Sequence, residues 1–249
     1  MNLPQVVSRA EWVQARKELL AREKQLTRQI DAVTADRRRL PMVLVDTPYA
    51  FEGPDGQVGL LELFDGRSQL IVQHVMWRFE SDTGCPFCAA SIEEISDGVL
   101  KHLHARDTSF ALVARGPYAS IERYRASQGW TIPWYSSNGS DFNYDYHVTL
   151  DESVTPAEYN YRSMDEYEQQ VGYRLVGPGQ SSEMPGLSCF VRDQDDSIYH
   201  TYTTYARGVD SLVSAYRFLD LTAMGRHEKW EEPKGRATKV WRTSPDFAS

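Results

Sequence analysis

The chain has 249 residues, enough for one large domain or two small ones with a core of their own. Hydrophobic residues make up 41% and charged residues 25%, which excludes a disordered or fibrous chain. The 27 basic and 35 acidic side chains leave a net charge of −8, which argues against a nucleic-acid partner.

The opening Met1-Asn2-Leu3-Pro4-Gln5 lacks a basic start followed by an apolar run, so the expected location is cytoplasmic. No window approaches about 18 uninterrupted apolar residues, so no helix is expected to span a membrane. Residues 8–39 read as one long helix. Ser8 and Glu11 have the spacing of a capping box, and Pro41 stops the helix. Trp12, Leu19, Leu26 and Val33 recur every seven residues, with Ile30 between them. This narrow stripe is expected to lie in an interface, within the chain or in a homodimer.

Residues 42–77 are expected to be β-rich. Met42 to Val45 form a short strand. Tyr49 to Phe51, the turn Gly53-Pro54-Asp55-Gly56 and Gln57 to Leu61 read as a hairpin. Leu70 to Trp77 is apolar enough for a central strand. Ile92, Ile95, Val99 and Leu103 then mark one face of a helix opened by Cys85-Pro86-Phe87-Cys88. Phe110 to Val113 is the next strand, followed by a helix from Pro117 to about Gly129. Strand, helix, strand, helix is the rhythm of βαβ units.

Residues 136–186 break that rhythm. They read as an insertion within the domain, because they hold too few aliphatic residues for a core of their own. Leu187 to Val191 and Ile198 to Tyr205 form a second hairpin. Val209, Leu212, Val213 and Tyr216 mark a last helix, and the chain ends in a polar tail from about residue 229.

The three cysteines are Cys85, Cys88 and Cys189, an odd number that does not suit a disulfide framework. Cys85 and Cys88 at the start of a helix lie on one side of its first turn. The free N–H groups and partial positive charge there favour a thiolate on Cys85. Cys88 would resolve the mixed disulfide, and Pro86 stiffens the turn. The expected roles are therefore Cys85 as nucleophile and Cys88 as resolving thiol. Trp77, Phe87 and the tyrosine-rich loop from Ser136 to Tyr146 would form an apolar rim for the substrate. Arg115, Arg207 and Arg226 each sit beside glycine and are expected to hold loops through carboxylates.

Two other chemistries share this pattern. A metal site would use His74, Cys85 and Cys88, completed by Cys189 and scattered histidines for zinc or by His147 and His200 for a copper-type centre, although no second close Cys pair exists. A peroxide-reducing enzyme would need a hydroxyl and an arginine around the sulfur. Thiol–disulfide exchange demands no cofactor, and its partner would be a thiol or disulfide, protein or small molecule.

Several longer motifs add to this: Arg39-Leu40-Pro41, Phe64-Asp65-Gly66-Arg67-Ser68-Gln69-Leu70, Gly84-Cys85, Gly129-Trp130, Ser140-Asp141-Phe142-Asn143, His200-Thr201-Tyr202, Tyr205-Ala206-Arg207-Gly208 and Leu219-Asp220-Leu221. With these, residues 8–228 resemble DUF899, a bacterial family of unknown function described as thioredoxin-like. The resemblance implies an α/β, thioredoxin-like fold: a mixed sheet flanked by helices, with an added N-terminal helix (1–41) and the insertion at about 136–186 inside a domain of 42–228. It also implies a substrate-docking position facing the cysteines, which falls near Leu187 or Ser188, with Pro185 slightly early. Seven residues, Arg78 to Gly84, separate Trp77 from Cys85, a longer approach than in thioredoxins.

Overall fold

The computed structural model describes residues 3–236. They form two compact units, one of residues up to Pro41 together with those from Tyr216 onward, the other Met42–Ala215. In the first unit, helix α1 runs from Arg9 to Arg37 and opens on the expected capping box. The Glu11 carboxylate accepts from the Ser8 N–H at 2.9 Å while Ser8 Oγ accepts from the Glu11 N–H. No residue of α1 is buried, and the heptad stripe is 47–56% exposed. In the C-terminal part of this unit, Arg226 pairs with Asp220 at 2.7 Å and lies over the Tyr216 ring. The polar tail expected from residue 229 is described as far as Arg236, and the remainder lies outside the described residues. Among the described residues no helix is long and apolar enough to cross a membrane.

The second unit is built on a mixed sheet. In chain order it begins with β1 (Val43–Leu44), the hairpin of β2 (Ala50–Gly53) and β3 (Gly56–Gly59), and β4 (Gln69–His74). A separate two-stranded ribbon follows, β5 (Trp77–Arg78) with β6 (Thr83–Gly84), then α2 (Pro86–Glu93) and α3 (Asp97–His104). Strand β7 (Thr108–Ala114) returns parallel to β4. Next come α4 (Tyr118–Gln128) and β8 (Trp134–Ser136), parallel to β7. The inserted region holds α5 (Phe142–Asp145), β9 (Thr149–Leu150), β10 (Glu158–Tyr159), β11 (Arg162–Ser163), α6 (Met164–Val171) and β12 (Ser182–Glu183). Strands β13 (Gly186–Arg192) and β14 (Ile198–Tyr205) complete the sheet; α7 (Ser214–Leu219) follows and runs past Ala215, the last described residue of this unit. The sheet order among the described residues is β1-β14-β13-β4-β7-β8-β2-β3. Its central four strands, β7-β4-β13-β14, are a parallel pair beside an antiparallel hairpin, with the cysteine helix following β4. That is the thioredoxin-like, mixed α/β architecture the resemblance implies.

Three elements differ from the sequence reading. The last helix expected through Val209, Leu212, Val213 and Tyr216 is a 3-10 segment, Ala206–Leu212, followed by α7, with extended Val213 between them. The single helix expected after Cys85 is two helices, because Ser96 turns the chain and accepts from the Val99 N–H to cap α3. The central strand ends at His74 rather than Trp77, and Trp77 belongs to the β5–β6 ribbon.

The sheet separates two apolar layers. Strand β4 alternates, so Leu70 and Val72 pack with Phe51, Phe64, Phe142 and Phe190 on one face, while Ile71 leans toward Val75, Cys88, Ile92 and Leu112 on the other. Each fully buried aliphatic or aromatic side chain contributes roughly 1.5–3 kcal/mol. The insertion supplies Phe142, Tyr146, Val148, Leu150 and Tyr159 to the first layer, so it shares the sheet's core.

Strand β14 carries a bulge. Cys189 pairs with Tyr202 but Phe190 pairs with His200, leaving Thr201 without an opposite residue. The extra residue shifts the alternation by one, so His200 shares the face of Thr203 and Phe190. In strict alternation it would face the cysteines.

Gly116, just after β7, lies against the buried Trp77. An added Cβ there would fall on the Trp77 ring, well inside contact distance. That ring is held edge-to-face by Tyr124 and Trp134 and cannot retreat. Gly116→Ala should therefore cost about 1–3 kcal/mol from overpacking. An unchanged urea midpoint would contradict this packing account.

Candidate active site

The cysteine pair is presented by the β5–β6 ribbon and the first turn of α2. Trp77 pairs with Gly84, and the Cys85 N–H donates to the Met76 carbonyl at 3.0 Å. Gly84 must lack a side chain, since a Cβ would stand 2.8 Å from the Tyr124 ring. Cys85 is the N-cap of α2 in extended conformation, and Pro86 occupies the first helical position. Behind the pair, Gln73 Nε2 donates to Ser91 Oγ at 2.8 Å, and Ser91 Oγ donates to the Cys88 carbonyl at 2.7 Å. Those bonds fix α2 on the central strand.

Both cysteines are free and mostly covered, with Cys85 8% and Cys88 4% exposed. Their thiols titrate in opposite directions. The Cys88 thiol donates toward the Cys85 sulfur, which is the largest influence holding the Cys85 thiol down to about 6. Burial opposes this. The N–H groups of Phe87 and Cys88 and the charge of Arg78 add to the lowering. The two N–H groups act by proximity, without closing a full capping hydrogen bond. Cys88 is pushed well above the ordinary thiol range, first by that same bond to Cys85 and then by burial.

Asp82, three residues before Cys85, is engaged elsewhere, by Arg123 at 2.6 Å and by Ser120 Oγ at 2.7 Å. The charge of Arg78 acts on the Cys85 thiol in the opposite sense to an acid, lowering it. Sequence reasoning missed Arg78, Gln73 and Ser91. Their only signal was position, one residue past the ribbon's start or on the thiol-facing side of a strand or helix.

The structure distributes the other expected site residues unevenly. Pro86 and Phe87 are exposed beside Cys85, with Phe87 at 60%. Leu187 lies in the same apolar layer as the thiols. Trp77 does not form a rim: at 2% exposure it is part of the wall beneath the thiols, with Tyr124 and Trp134. Ser188 points to the opposite face of the sheet, because β-strand side chains alternate and Leu187 takes the thiol side. The peptide bond before Pro185 is trans. From Phe142 to Tyr146 the tyrosine-rich loop is also on the far face, whereas Ser136 shares the Trp134 side of β8. Ser136 Oγ donates to the Gly116 carbonyl, Ser137 Oγ donates to Asn143 Oδ1, and Phe142 and Tyr146 are core residues.

His74 is likewise on the far face. Its Nε2 is 2.8 Å from Ser188 Oγ, Ser188 Oγ is 2.9 Å from Thr203 Oγ1, and His200 Nε2 is 2.6 Å from the same Thr203 oxygen. The imidazole packs against both Phe142 and Tyr146, which also touch each other. The alternative metal set of His74, Cys85 and Cys88 is therefore not assembled: the histidine and the thiols occupy opposite sides of the sheet. No cluster of three or more His, Cys, Asp or Glu suited to a metal ion occurs among the described residues.

The three glycine-flanked arginines hold loops. Arg115 pairs with the largely buried Glu183 at 3.0 Å, Arg207 with Asp210 at 3.3 Å, and Arg226 with Asp220. Burial raises the Glu183 carboxyl, while Arg115, Thr149 and Asn143 oppose that rise.

The model of one family, "Bacterial protein of unknown function (DUF899)", matches residues 1–246. The chain belongs to the DUF899 family. No curated protein matches it. Among solved structures it is similar to a PrxQ mutant of Xylella fastidiosa at 11% identity and TM-score 0.41, over 72% of this chain and 94% of that one. It is similar to peroxidoxin BcpB of Mycobacterium tuberculosis at 12% identity and TM-score 0.41, over 72% and 97%. A putative protein disulfide isomerase of Bacteroides thetaiotaomicron matches at 18% identity and TM-score 0.35, over 72% and 91%.

Proposed function

We propose that this protein is a thiol–disulfide oxidoreductase in which Cys85 attacks and Cys88 resolves. The observation that carries the reading is the placement of the pair on the first turn of α2, Cys85 as its N-cap next to exposed Pro86 and Phe87 and Cys88 more deeply covered; the lowered Cys85 thiol and raised Cys88 thiol agree with it. The Cys85 thiolate attacks one sulfur of a substrate disulfide, forming a Cys85 mixed disulfide and expelling one substrate thiolate. Cys88 then attacks the Cys85 sulfur, its proton passing to the departing thiolate or to solvent. The products are a Cys85–Cys88 disulfide and the second substrate thiol. The protein dithiol loses two electrons and the substrate disulfide gains them. The same steps in reverse oxidise a dithiol.

Exposed Pro86 and Phe87, with Leu187 on the thiol side, form the surface on which this reading seats a protein or small-molecule substrate. Trp77 and Ser188 drop out of that role. The reading sets the enzyme in the cytoplasm, where dithiols are kept reduced. A homodimer through the exposed stripe of α1 belongs to it as well, and a monomer at micromolar concentration by sedimentation would remove that part.

The test is equilibration with graded glutathione redox buffers, read by mass spectrometry. A two-electron couple confined to Cys85 and Cys88 is expected, with reduction of a model disulfide that Cys85→Ser abolishes. Cys189 borders the same apolar layer, and Cys189→Ala should keep the couple and the turnover. Failure of the pair to form a disulfide under any buffer, or equal loss in Cys189→Ala, contradicts the assignment.

A further inference from the structure

The face of the sheet turned away from the thiols carries a cavity of about 310 Å³, bounded by β1, the segment after it, the α5 region and β14. This size is within the usual range for small-molecule sites, roughly 300–1,000 Å³. Tyr49, Tyr146, Tyr161 and Tyr205 line it, with Asp46 and Asp145. His200 and Thr203, brought to this face by the β14 bulge, also contribute.

The chemistry of these walls selects by charge. The two aspartates are its formally charged side chains, and no lysine or arginine is among its lining residues. His200 is kept neutral by burial. Burial pushes the phenols of Tyr49, Tyr146 and Tyr205 upward, so these rings carry no charge of their own.

Three of the four tyrosine hydroxyl protons, all but that of Tyr146, are already committed. Tyr49 donates to Asp145 Oδ2 at 2.6 Å, Tyr205 to the Tyr146 carbonyl at 2.9 Å and Tyr161 to the Thr203 carbonyl at 2.7 Å. An anion would thus find no lysine or arginine, and the Tyr146 hydroxyl, the His147 imidazole and the Thr47 hydroxyl as its side-chain donors besides those already engaged. Against these stand four tyrosine rings, the aliphatic Val43, Leu44 and Val45, and two carboxylates. A metal ion is poorly served by aromatic rings, and no cluster of three or more metal-binding side chains occurs among the described residues. An organic ammonium matches both parts: its N-alkyl shell lies against the rings and its charge is met by their quadrupoles and by the aspartates.

We propose that this tyrosine-lined cavity binds a small alkylammonium ligand, with N-methylated and quaternary ammonium groups as the preferred class. The site is independent of the thiol chemistry and lies on the opposite side of the sheet. Tyr161 is its outer wall, 69% exposed and leaning on Tyr205 with ring centroids 5.7 Å apart.

The experiment is calorimetric titration of the full chain with choline chloride at constant ionic strength. The neutral carbon isostere 3,3-dimethylbutanol is titrated in parallel. Saturable choline binding in the millimolar range or tighter is expected, with the isostere at least about tenfold weaker. Asp46→Asn and Tyr161→Leu alter exposed positions and should keep the wild-type melting profile. Each should weaken choline binding by about three- to fivefold. No saturable heat up to about 20 mM choline would overturn the proposal. So would equal binding of the isostere, or unchanged affinity in both folded variants.

Discussion

Iodoacetamide should modify Cys85 at a rate that reaches half its plateau near pH 6, whereas Cys88 should stay unlabelled through neutral pH. An ordinary thiol, with a pKa of about 8.5, is only about 3% ionised at pH 7. A thiol at about 6 is roughly 90% ionised there, a gain of about thirtyfold in the reactive form. The intrinsic nucleophilicity of a more acidic thiolate is lower, so the rate gain is smaller than the population gain. The dominant cause is the hydrogen bond from Cys88, and this makes the prediction specific. Cys88→Ala removes the donor and should move the midpoint upward by a unit or more, toward the ordinary thiol range. Cys88→Ser replaces the donor with a hydroxyl and should restore much of the lowering. Arg78→Gln should give a smaller upward shift that fades as salt is added, since it acts through space near the surface. Labelling of Cys88 first, or a Cys88→Ala midpoint that stays near 6, would remove the proposed division of roles.

How far the sequence carried these conclusions depends on the type of signal. The capping box at Ser8 and Glu11, the β2–β3 turn and the cysteine pair at a helix start are local patterns, and local patterns specify local geometry. The break at Ser96 was also local, but the apolar spacing from Ile92 to Leu103 continued across it and hid it. Facing was harder to read. Whether His74 and Ser188 look toward the thiols depends on where each strand begins its alternation, and one residue of phase reverses the answer. The β14 bulge at Thr201 changes that phase within a single strand, and nothing in His200-Thr201-Tyr202 announces it. Trp77 was misread for a related reason. An aromatic residue near a reactive cysteine suits a rim or a wall equally, and only the fit against Gly116 decides for the wall.

The buried histidine on the far face gives the other large effect, a loss of stability in acid. His74 is 1% exposed, and burial holds its pKa down to about 3, with His200 adding to the lowering. Its Nε2 meets Ser188, but its buried Nδ1 has no hydrogen-bond partner. An imidazolium needs an acceptor at both nitrogens, so the proton that would complete the charge has nowhere to point. In the unfolded chain the same side chain titrates near 6.5. Above about pH 7 both states are neutral and the group adds no pH dependence. As pH falls below about 6.5, the unfolded chain takes up a proton that the folded one refuses, and stability drops until about pH 3. The full difference is at most about 5 kcal/mol, a large share of the roughly 5–15 kcal/mol that holds an ordinary domain together. His74→Leu should cost about 1–3 kcal/mol at pH 7.5, through the lost bond to Ser188 and imperfect packing against Phe142 and Tyr146. It should also flatten the acid limb by nearly one proton, about 1.4 kcal/mol per pH unit between roughly pH 4 and 6. Ser188→Ala, which leaves the imidazole buried, should keep the steep limb. Urea unfolding at a series of pH values measures both, and an acid slope unchanged by His74→Leu would show that the acid sensitivity arises elsewhere.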